Sequence, residues 1–263
     1  MSTESGIPDY RGPGGRYTQT GSNPLTHQQF MGDERNRKRY WARSIIGFRS
    51  FNRAQPNRSH LTLAELERSH LINGLITQNV DRLHHHAGSK NLIELHGRGD
   101  LVECMTCGHQ KDRAQYHHDL SEENQSWLKA IENKSYTLTA DGDAIIDESD
   151  VPSFSVLSCE ECAIGIIKPS FVFFGGSVPQ EVAEAALDTV TKSKALLVIG
   201  TTASTVSCYR LVRSAKDQGN FIGIINQGHT RVDDMADAAF REASCGDFLQ
   251  DLAKVVLPRQ FGA

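Results

Sequence analysis

A chain of 263 residues, 38 % hydrophobic and 23 % charged, is long enough for one large core plus a smaller module and has the composition of an ordinary soluble globular protein. Its net charge of −4 excludes a general attraction to nucleic acid or anionic membrane, and no stretch approaches the roughly 20 apolar residues of a membrane span. Residues 1 to 20 carry neither a secretory h-region nor an Arg-rich transit helix, and four of the six cysteines form two C-x-x-C pairs, which predicts an intracellular protein with a metal site.

Gly12 to Pro24 is rich in Gly, Pro, Ser and Asn and predicts a mobile loop of the kind that closes over a ligand. From Thr26 to His70 the pattern is helical. Thr26 is a candidate cap before His27-Gln28-Gln29, and Leu61, Leu63, Leu66 and Leu71 recur at near-helical spacing. The basic run Arg35 to Arg43 is interrupted by Tyr40, Trp41 and Ala42; it reads as a solvated helix face with Trp41 in the core. Leu71 to Ile76 is short and β-branched, which predicts a buried strand delivering Thr77-Gln78-Asn79-Val80-Asp81 from its C-terminal end. His84, His85 and His86 are consecutive, point in different directions and read as surface residues. Asn91 to Leu95 is a second strand and ends at His96-Gly97. Ligands of open α/β sheets bind beyond the carboxyl ends of the strands. Two such strands therefore bring amides, a carboxylate and an imidazole to one crevice.

Cys104 and Cys107 are separated by about 50 residues from Cys159 and Cys162. Each C-x-x-C turn offers two thiolates, and two turns complete a closed tetrahedral site, so the expected zinc is structural. Between the pairs, Glu122 to Glu132 with Trp127 predicts a short helix and Ala140 to Asp143 a turn. Asp141, Asp143, Asp147, Glu148 and Asp150 lack the EF-hand ligand order and read as a solvated acidic loop. Ile166 to Gly175 returns to the core. Gln180 to Thr191 is an amphipathic helix with Val182, Ala185, Ala186 and Val190 inward, and Ala195 to Ile199 a fully buried strand ending at Gly200-Thr201-Thr202. Phe221 to Ile225 is the next strand, ending at Asn226-Gln227-Gly228, and Cys245-Gly246 precedes a helix over Asp247 to Val255. Cys208 reads as a small buried apolar residue. The expected fold is α/β, with a Rossmann-like parallel sheet over 1–25, 71–100 and 168–263, a helical insertion over 26–70 and a zinc-binding module over 101–167.

The pair formed by Thr77-Gln78-Asn79-Val80-Asp81 and Glu94-Leu95-His96-Gly97 resembles the signature of sirtuins, NAD-dependent protein lysine deacylases. Arg39-Tyr40-Trp41-Ala42-Arg43, Gln55-Pro56-Asn57 and the segment from Pro169 to Gly175 are similar to class II members, a branch that includes a mitochondrial form. The resemblance implies NAD as co-substrate, one structural zinc held by Cys104, Cys107, Cys159 and Cys162, and acyl-lysine proteins as partners. It implies His96, Asn79 and Asp81 as catalytic residues, His96 as general base, with Gln78, Asn79, Val80 and Asp81 binding the cofactor at the nicotinamide ribose and carboxamide. It places Thr3, Glu4, Asp9, Tyr10 and Arg11 at the start of a flexible cofactor loop. Gly200, Thr201 and Thr202 fall on the adenosine side, Asn226, Gln227 and Gly228 on the ribose, and Cys245 on adenine. Val172 and Phe174 fall on the acyl tunnel and peptide. Products would be free lysine, nicotinamide and O-acyl-ADP-ribose. In sirtuins residues like these first ones follow a β-strand and a Gly-Ala-Gly turn. This chain begins inside that motif, which suggests a truncated or misplaced start. The alternatives are a mono-ADP-ribosyltransferase and a catalytically silent NAD-binding module. Ala203-Ser204-Thr205 departs from the family's usual apolar pair, and Ser170 and Gly176 stand where many members carry acidic residues. A monomer is expected, without nucleic acid or membrane, in the mitochondrial matrix of a eukaryote or otherwise in cytoplasm.

Overall fold

The computed structural model describes residues 1–9, 24–137 and 143–257. Tyr10, Arg11, the expected loop up to residue 23 and the turn at Ala140 to Gly142 lie outside the described residues.

Thr26 caps the first helix, α1 (His27–Gly32), through a reciprocal pair of bonds: its hydroxyl accepts from the Gln29 amide at 3.2 Å, and the Gln29 side chain accepts from the Thr26 amide at 3.0 Å. Asp33 caps α2 (Glu34–Arg53), and Asn57 caps α3 (Arg58–Arg68). The apolar stripe of α2 buries Tyr40, Trp41, Ile45 and Phe48, while Leu63 and Leu66 are buried on α3. Leu61 and Leu71 face outward.

The basic run is only partly solvated. Arg35, Arg39 and Arg43 recur every fourth residue and so share one face of α2. Arg35 and Arg39 pair with Glu148 at 3.8 and 2.8 Å, and Arg43 reaches Asp143 at 3.8 Å. The acidic segment is therefore solvated only in part: Asp147 and Glu148 are exposed, as its composition predicts, whereas Asp143 is not. Asp143 is 2 % exposed, because the segment lies against this helix face.

The parallel pair β1 (Leu75–Thr77) and β2 (Leu92–Glu94) aligns Leu75 with Leu92 and Thr77 with Glu94, with α4 (Leu83–His86) between them in sequence. An antiparallel sheet follows in the order β4-β3-β5, from β3 (Gly97–Cys104), β4 (Gln110–Asp112) and β5 (Ile167–Phe171). Helix α5 (Arg113–Glu123) packs beside it and α6 (Gln125–Ile131) against α5. The second parallel sheet runs β6 (Ala195–Ile199), β7 (Phe221–Ile225), β8 (Ala238–Phe240). Helix α7 (Gln180–Thr191) precedes it, α8 (Val206–Asp217) connects β6 to β7, and α9 (Cys245–Val256) follows β8. The fold is thus α/β with Rossmann-type parallel pairing. One apolar cluster joins Phe30, Tyr40 and Trp41 of the helical segment to Trp127, Phe154 and Phe173, and a second unites β6, β7 and α8 through Val198, Val212, Ile222 and Ile224.

Several local expectations are corrected. The strand foreseen over Leu71 to Ile76 starts only at Leu75, since the chain is still turning out of α3 at His70, where φ is 56°. The helix foreseen over Glu122 to Glu132 is broken at Asn124, whose amide group bonds Leu120 O and Ser155 on another segment. Within the expected inward stripe of α7, Ala186 and Val190 are buried but Ala185 is exposed. Leu197 of β6 is 41 % exposed, so this strand is not fully buried. Among the described residues β6 pairs only with β7, so its other edge has no strand partner. His84 is not a surface residue: it is 4 % exposed and packs edge-on against His60, with ring centroids 4.7 Å apart.

Candidate active site

Strands β1 and β6 end side by side. Gln78, the first residue after β1, spans the gap: its side-chain amide donates to Thr201 Oγ1 at 3.1 Å, and its Oε1 accepts from Thr205 Oγ1 at 3.1 Å. Asn79 is tied down through its backbone amide to Thr77 Oγ1 at 3.1 Å, and the Val80 carbonyl accepts from Gly99 N at 2.7 Å. Asp81 Oδ1 accepts from the Leu83 amide at 3.0 Å. The turn between them needs a left-handed residue at Arg82, φ 64°, which a non-glycine residue adopts at a cost of about 1 kcal/mol. Arg82 is held there by an ion pair with Glu94 at 2.5 Å and with Asp100 at 3.4 Å. This clamp links the loop to both β2 and β3.

His96 follows β2 by two residues and points back at the same loop. Its Nδ1 lies 3.2 Å from the Gln78 carbonyl and its Nε2 3.1 Å from Ser207 Oγ. Burial pushes its pKa below the usual histidine value, opposed by the Gln78 carbonyl. A carbonyl can only accept, so Nδ1 carries the proton in the neutral ring and Nε2 keeps a lone pair. In the neutral ring this lone pair faces the Ser207 hydroxyl.

At the N-terminal side a short 3-10 turn, Ser2–Ser5, sits over the loop. Ser2 Oγ donates to Asp81 Oδ2 at 2.6 Å and accepts from Asn79 Nδ2 at 2.9 Å. Glu4 turns away to Arg58, 3.0 Å. Thr3 is exposed and Asp9 half-buried. Gly200 has φ +59°, and a Cβ on it would lie 3.1 Å from Met1 N and 3.3 Å from Cys245 Sγ, so the backbone here approaches closely. Thr202 Oγ1 bonds Ser204 Oγ at 2.8 Å, and Asn226 Nδ2 donates to Gly228 O at 2.7 Å while Gln227 is exposed. Thus His96, Gln78 and Thr201 are joined by hydrogen bonds at the ends of β1, β2 and β6, with Asn79 and Asp81 next to them in the same loop. Asn226 to Gly228 and Cys245 border the same end of the second sheet.

Beside His96, β5 is the edge strand of its sheet. The next residue, Val172, donates its amide to the His96 carbonyl at 2.9 Å, and the Phe174 carbonyl accepts from His27 N at 2.8 Å. Val172 is half-buried and Phe174 is 42 % exposed. Lys168 is buried, donating to the carbonyls of Pro169 and Phe171 at 2.6 and 2.7 Å, and burial lowers its pKa to about 8.

The four cysteines Cys104, Cys107, Cys159 and Cys162 bring their Sγ atoms within 4.8 Å of one another. Two Sγ pairs, Cys104 with Cys162 and Cys107 with Cys159, are 3.7 Å apart. A tetrahedron with Zn–S near ~2.3 Å has edges of about 3.8 Å, so the donor set fits zinc. The Thr106 and Cys107 amides donate to Cys104 Sγ at 3.4 Å, as thiolate acceptors require. Four protein thiolates leave no open position, so such an ion is structural.

Sequence reasoning did not single out Ser2 or Ser207, and it met Thr205 only as part of a departure from the family's apolar pair. Only a hydroxyl at each position was visible, with no periodicity or motif to point to the crevice.

The Sir2 family pattern matches residues 1–207. The chain is 43 % identical over 234 residues to a protein of Bradyrhizobium diazoefficiens named NAD-dependent protein deacetylase 2, covering 89 % of this chain and 83 % of that one. It is 40 % identical over 253 residues to the Drosophila melanogaster protein named NAD-dependent protein deacylase Sirt4, covering 96 % and 79 %. Among solved structures, a Sir2 with p53 peptide and NAD+ superposes with a TM-score of 0.71 at 29 % identity, covering 97 % of this chain and 88 % of that one. A Sir2 with deacetylated p53 peptide and 3′-O-acetyl ADP ribose gives 0.74 at 28 % identity, covering 97 % and 89 %. With parallel sheets and a four-thiolate cluster in the same chain, these matches make it a member of the Sir2 family.

Proposed function

We propose that this protein removes acyl groups from protein lysines with NAD as co-substrate, releasing nicotinamide and forming O-acyl-ADP-ribose. The relatives named as NAD-dependent deacetylases and deacylases support this reading, and the Arg39 to Arg43 segment supports a place in class II. The observation that carries the mechanism is the placing of His96, whose Nδ1 lies 3.2 Å from the Gln78 carbonyl, so that in the neutral ring Nε2 keeps a lone pair, which faces the Ser207 hydroxyl. NAD supplies a ribose carbon with a good leaving group. Gln78, Asn79 and Asp81 would hold that ribose and the carboxamide, so that positioning provides most of the acceleration. His96 Nε2 would then withdraw a proton from a ribose hydroxyl. Val172 and Phe174, just beyond β5, which among the described residues is an edge strand, would contact the acyl-lysine peptide.

The test is nicotinamide release, with mass detection of O-acyl-ADP-ribose, from NAD and acetyl-, longer-acyl- and lipoyl-lysine peptides. His96→Ala is expected to lower turnover by about 100-fold or more while zinc content stays the same. Turnover retained in that variant would refute His96 as the base. ADP-ribose attached to protein without any need for acyl peptide would replace deacylation with mono-ADP-ribosyl transfer. Because burial lowers the pKa of His96, the neutral base persists below the ordinary value of about 6.5. Activity should be level at neutral pH and fall only on the acid side of it.

A further inference from the structure

Ser207, the second residue of α8, has one hydroxyl proton and two acceptors within reach. His96 Nε2 is 3.1 Å away and Thr205 Oγ1 is 3.3 Å away. Thr205 spends its own proton on Gln78 Oε1 at 3.1 Å, and its oxygen caps α8 by accepting from the Cys208 amide at 3.3 Å. Gln78 closes the ring, since its backbone carbonyl holds His96 Nδ1 and its side chain is fixed on Thr201. The path from one imidazole nitrogen to the other thus runs through two hydroxyls and a single glutamine.

We propose that Ser207 is a positioning residue whose hydroxyl switches between two acceptors as His96 gains and loses its proton. With the ring neutral, Ser207 donates to Nε2, and with Nδ1–H on the Gln78 carbonyl only one tautomer satisfies both bonds. When Nε2 takes a proton, the Ser207 hydroxyl turns to Thr205 Oγ1 and its oxygen accepts from Nε2–H. The imidazolium is then bonded at both nitrogens. The second arrangement is charge-assisted and therefore the stronger one, so Ser207 favours protonated His96. No ionised side chain among the described residues shares in this. The polar neighbours of the ring are the Gln78 carbonyl from the loop after β1 and the Ser207 hydroxyl from α8. The Cys208 thiol beside them on α8 is pushed up to about 11 by burial and stays neutral. A dipolar relay of this kind supports a transient cation in the crevice without a carboxylate.

The role of Ser207 in turnover rests on His96 being the base, but the relay itself is readable without catalysis. Nitrogen-15 NMR of the unliganded full chain would follow His96 titration and tautomer in wild type, Ser207→Ala and Ser207→Thr. Ser207→Ala is expected to lower the His96 midpoint by about half a unit to one unit and to mix the neutral tautomers, while Ser207→Thr restores both. Thr205→Val, which keeps Ser207 but removes its second acceptor, should move the midpoint in the same direction. In activity, Ser207→Ala should carry the acid limb of the kcat profile to lower pH by the same amount, with KM for NAD little changed. A His96 midpoint and tautomer unaltered in both folded Ser207→Ala and Thr205→Val would overturn the proposal. An active His96→Ala variant would sink the assignment of His96 as base and leave the NMR result to judge the relay.

Discussion

Ser2 donates its hydroxyl proton to Asp81 Oδ2 at 2.6 Å while accepting from Asn79 Nδ2 at 2.9 Å, joining two residues of the crevice that lie 77 and 79 positions further along the chain. A hydrogen bond to a charged group contributes about 1.5–3 kcal/mol. Ser2→Ala frees both side chains from one another and is expected to weaken NAD binding by about tenfold. Isothermal titration of the folded variant reads this directly, and an unchanged Kd would show that Asn79 and Asp81 are positioned without Ser2.

The four-thiolate cluster makes a prediction independent of turnover. One zinc per chain is expected by elemental analysis, and its removal by a strong chelator should unfold the segment around β3 and β4, because structural zinc contributes on the order of 10 kcal/mol to such modules. Gly165 sharpens the test. A Cβ at this position would overlap Cys104 Sγ and come 2.9 Å from Cys162 Sγ. Gly165→Ala should therefore lose zinc to chelator faster than wild type, and equal retention would argue against a tightly closed site.

Acid should destabilise the fold through His60 and His84. Burial lowers both rings from 6.5 to about 4. A lowered histidine pKa means that the folded state binds fewer protons than the unfolded one over that interval. Stability is thus level above about pH 6.5 and falls as pH drops towards 4, by up to about 3 kcal/mol per ring. Urea midpoints at pH 7, 5.5 and 4.5 measure the slope. His84→Leu should flatten it relative to wild type, and identical slopes in the two proteins would exclude His84 as a contributor.

The sequence was most legible where its signals are local. The Thr26 cap, the paired C-x-x-C turns and the β-rich runs at Ala195 and Phe221 each rest on neighbours within a few residues. The acidic segment departs from its expectation at Asp143 for the opposite reason. Composition marks Asp143 and Glu148 as hydrophilic, but their partners Arg43 and Arg39 lie about a hundred residues earlier, and a charge is buried or solvated according to whether such a partner arrives. His84 followed the same rule: three consecutive histidines look alike in sequence, yet α4 turns only the first of them towards His60 on α3.

The chain by itself determined an α/β protein with polar residues at strand ends and four thiolates in two turns, because periodicity, turn chemistry and ligand spacing are properties of short segments. Tertiary structure decided which side chains meet. Ser2 reaches Asp81 across 79 residues, and Ser207 reaches His96 across 111. Such pairs form only when separate elements pack at a fixed register, so nothing adjacent in sequence announces them.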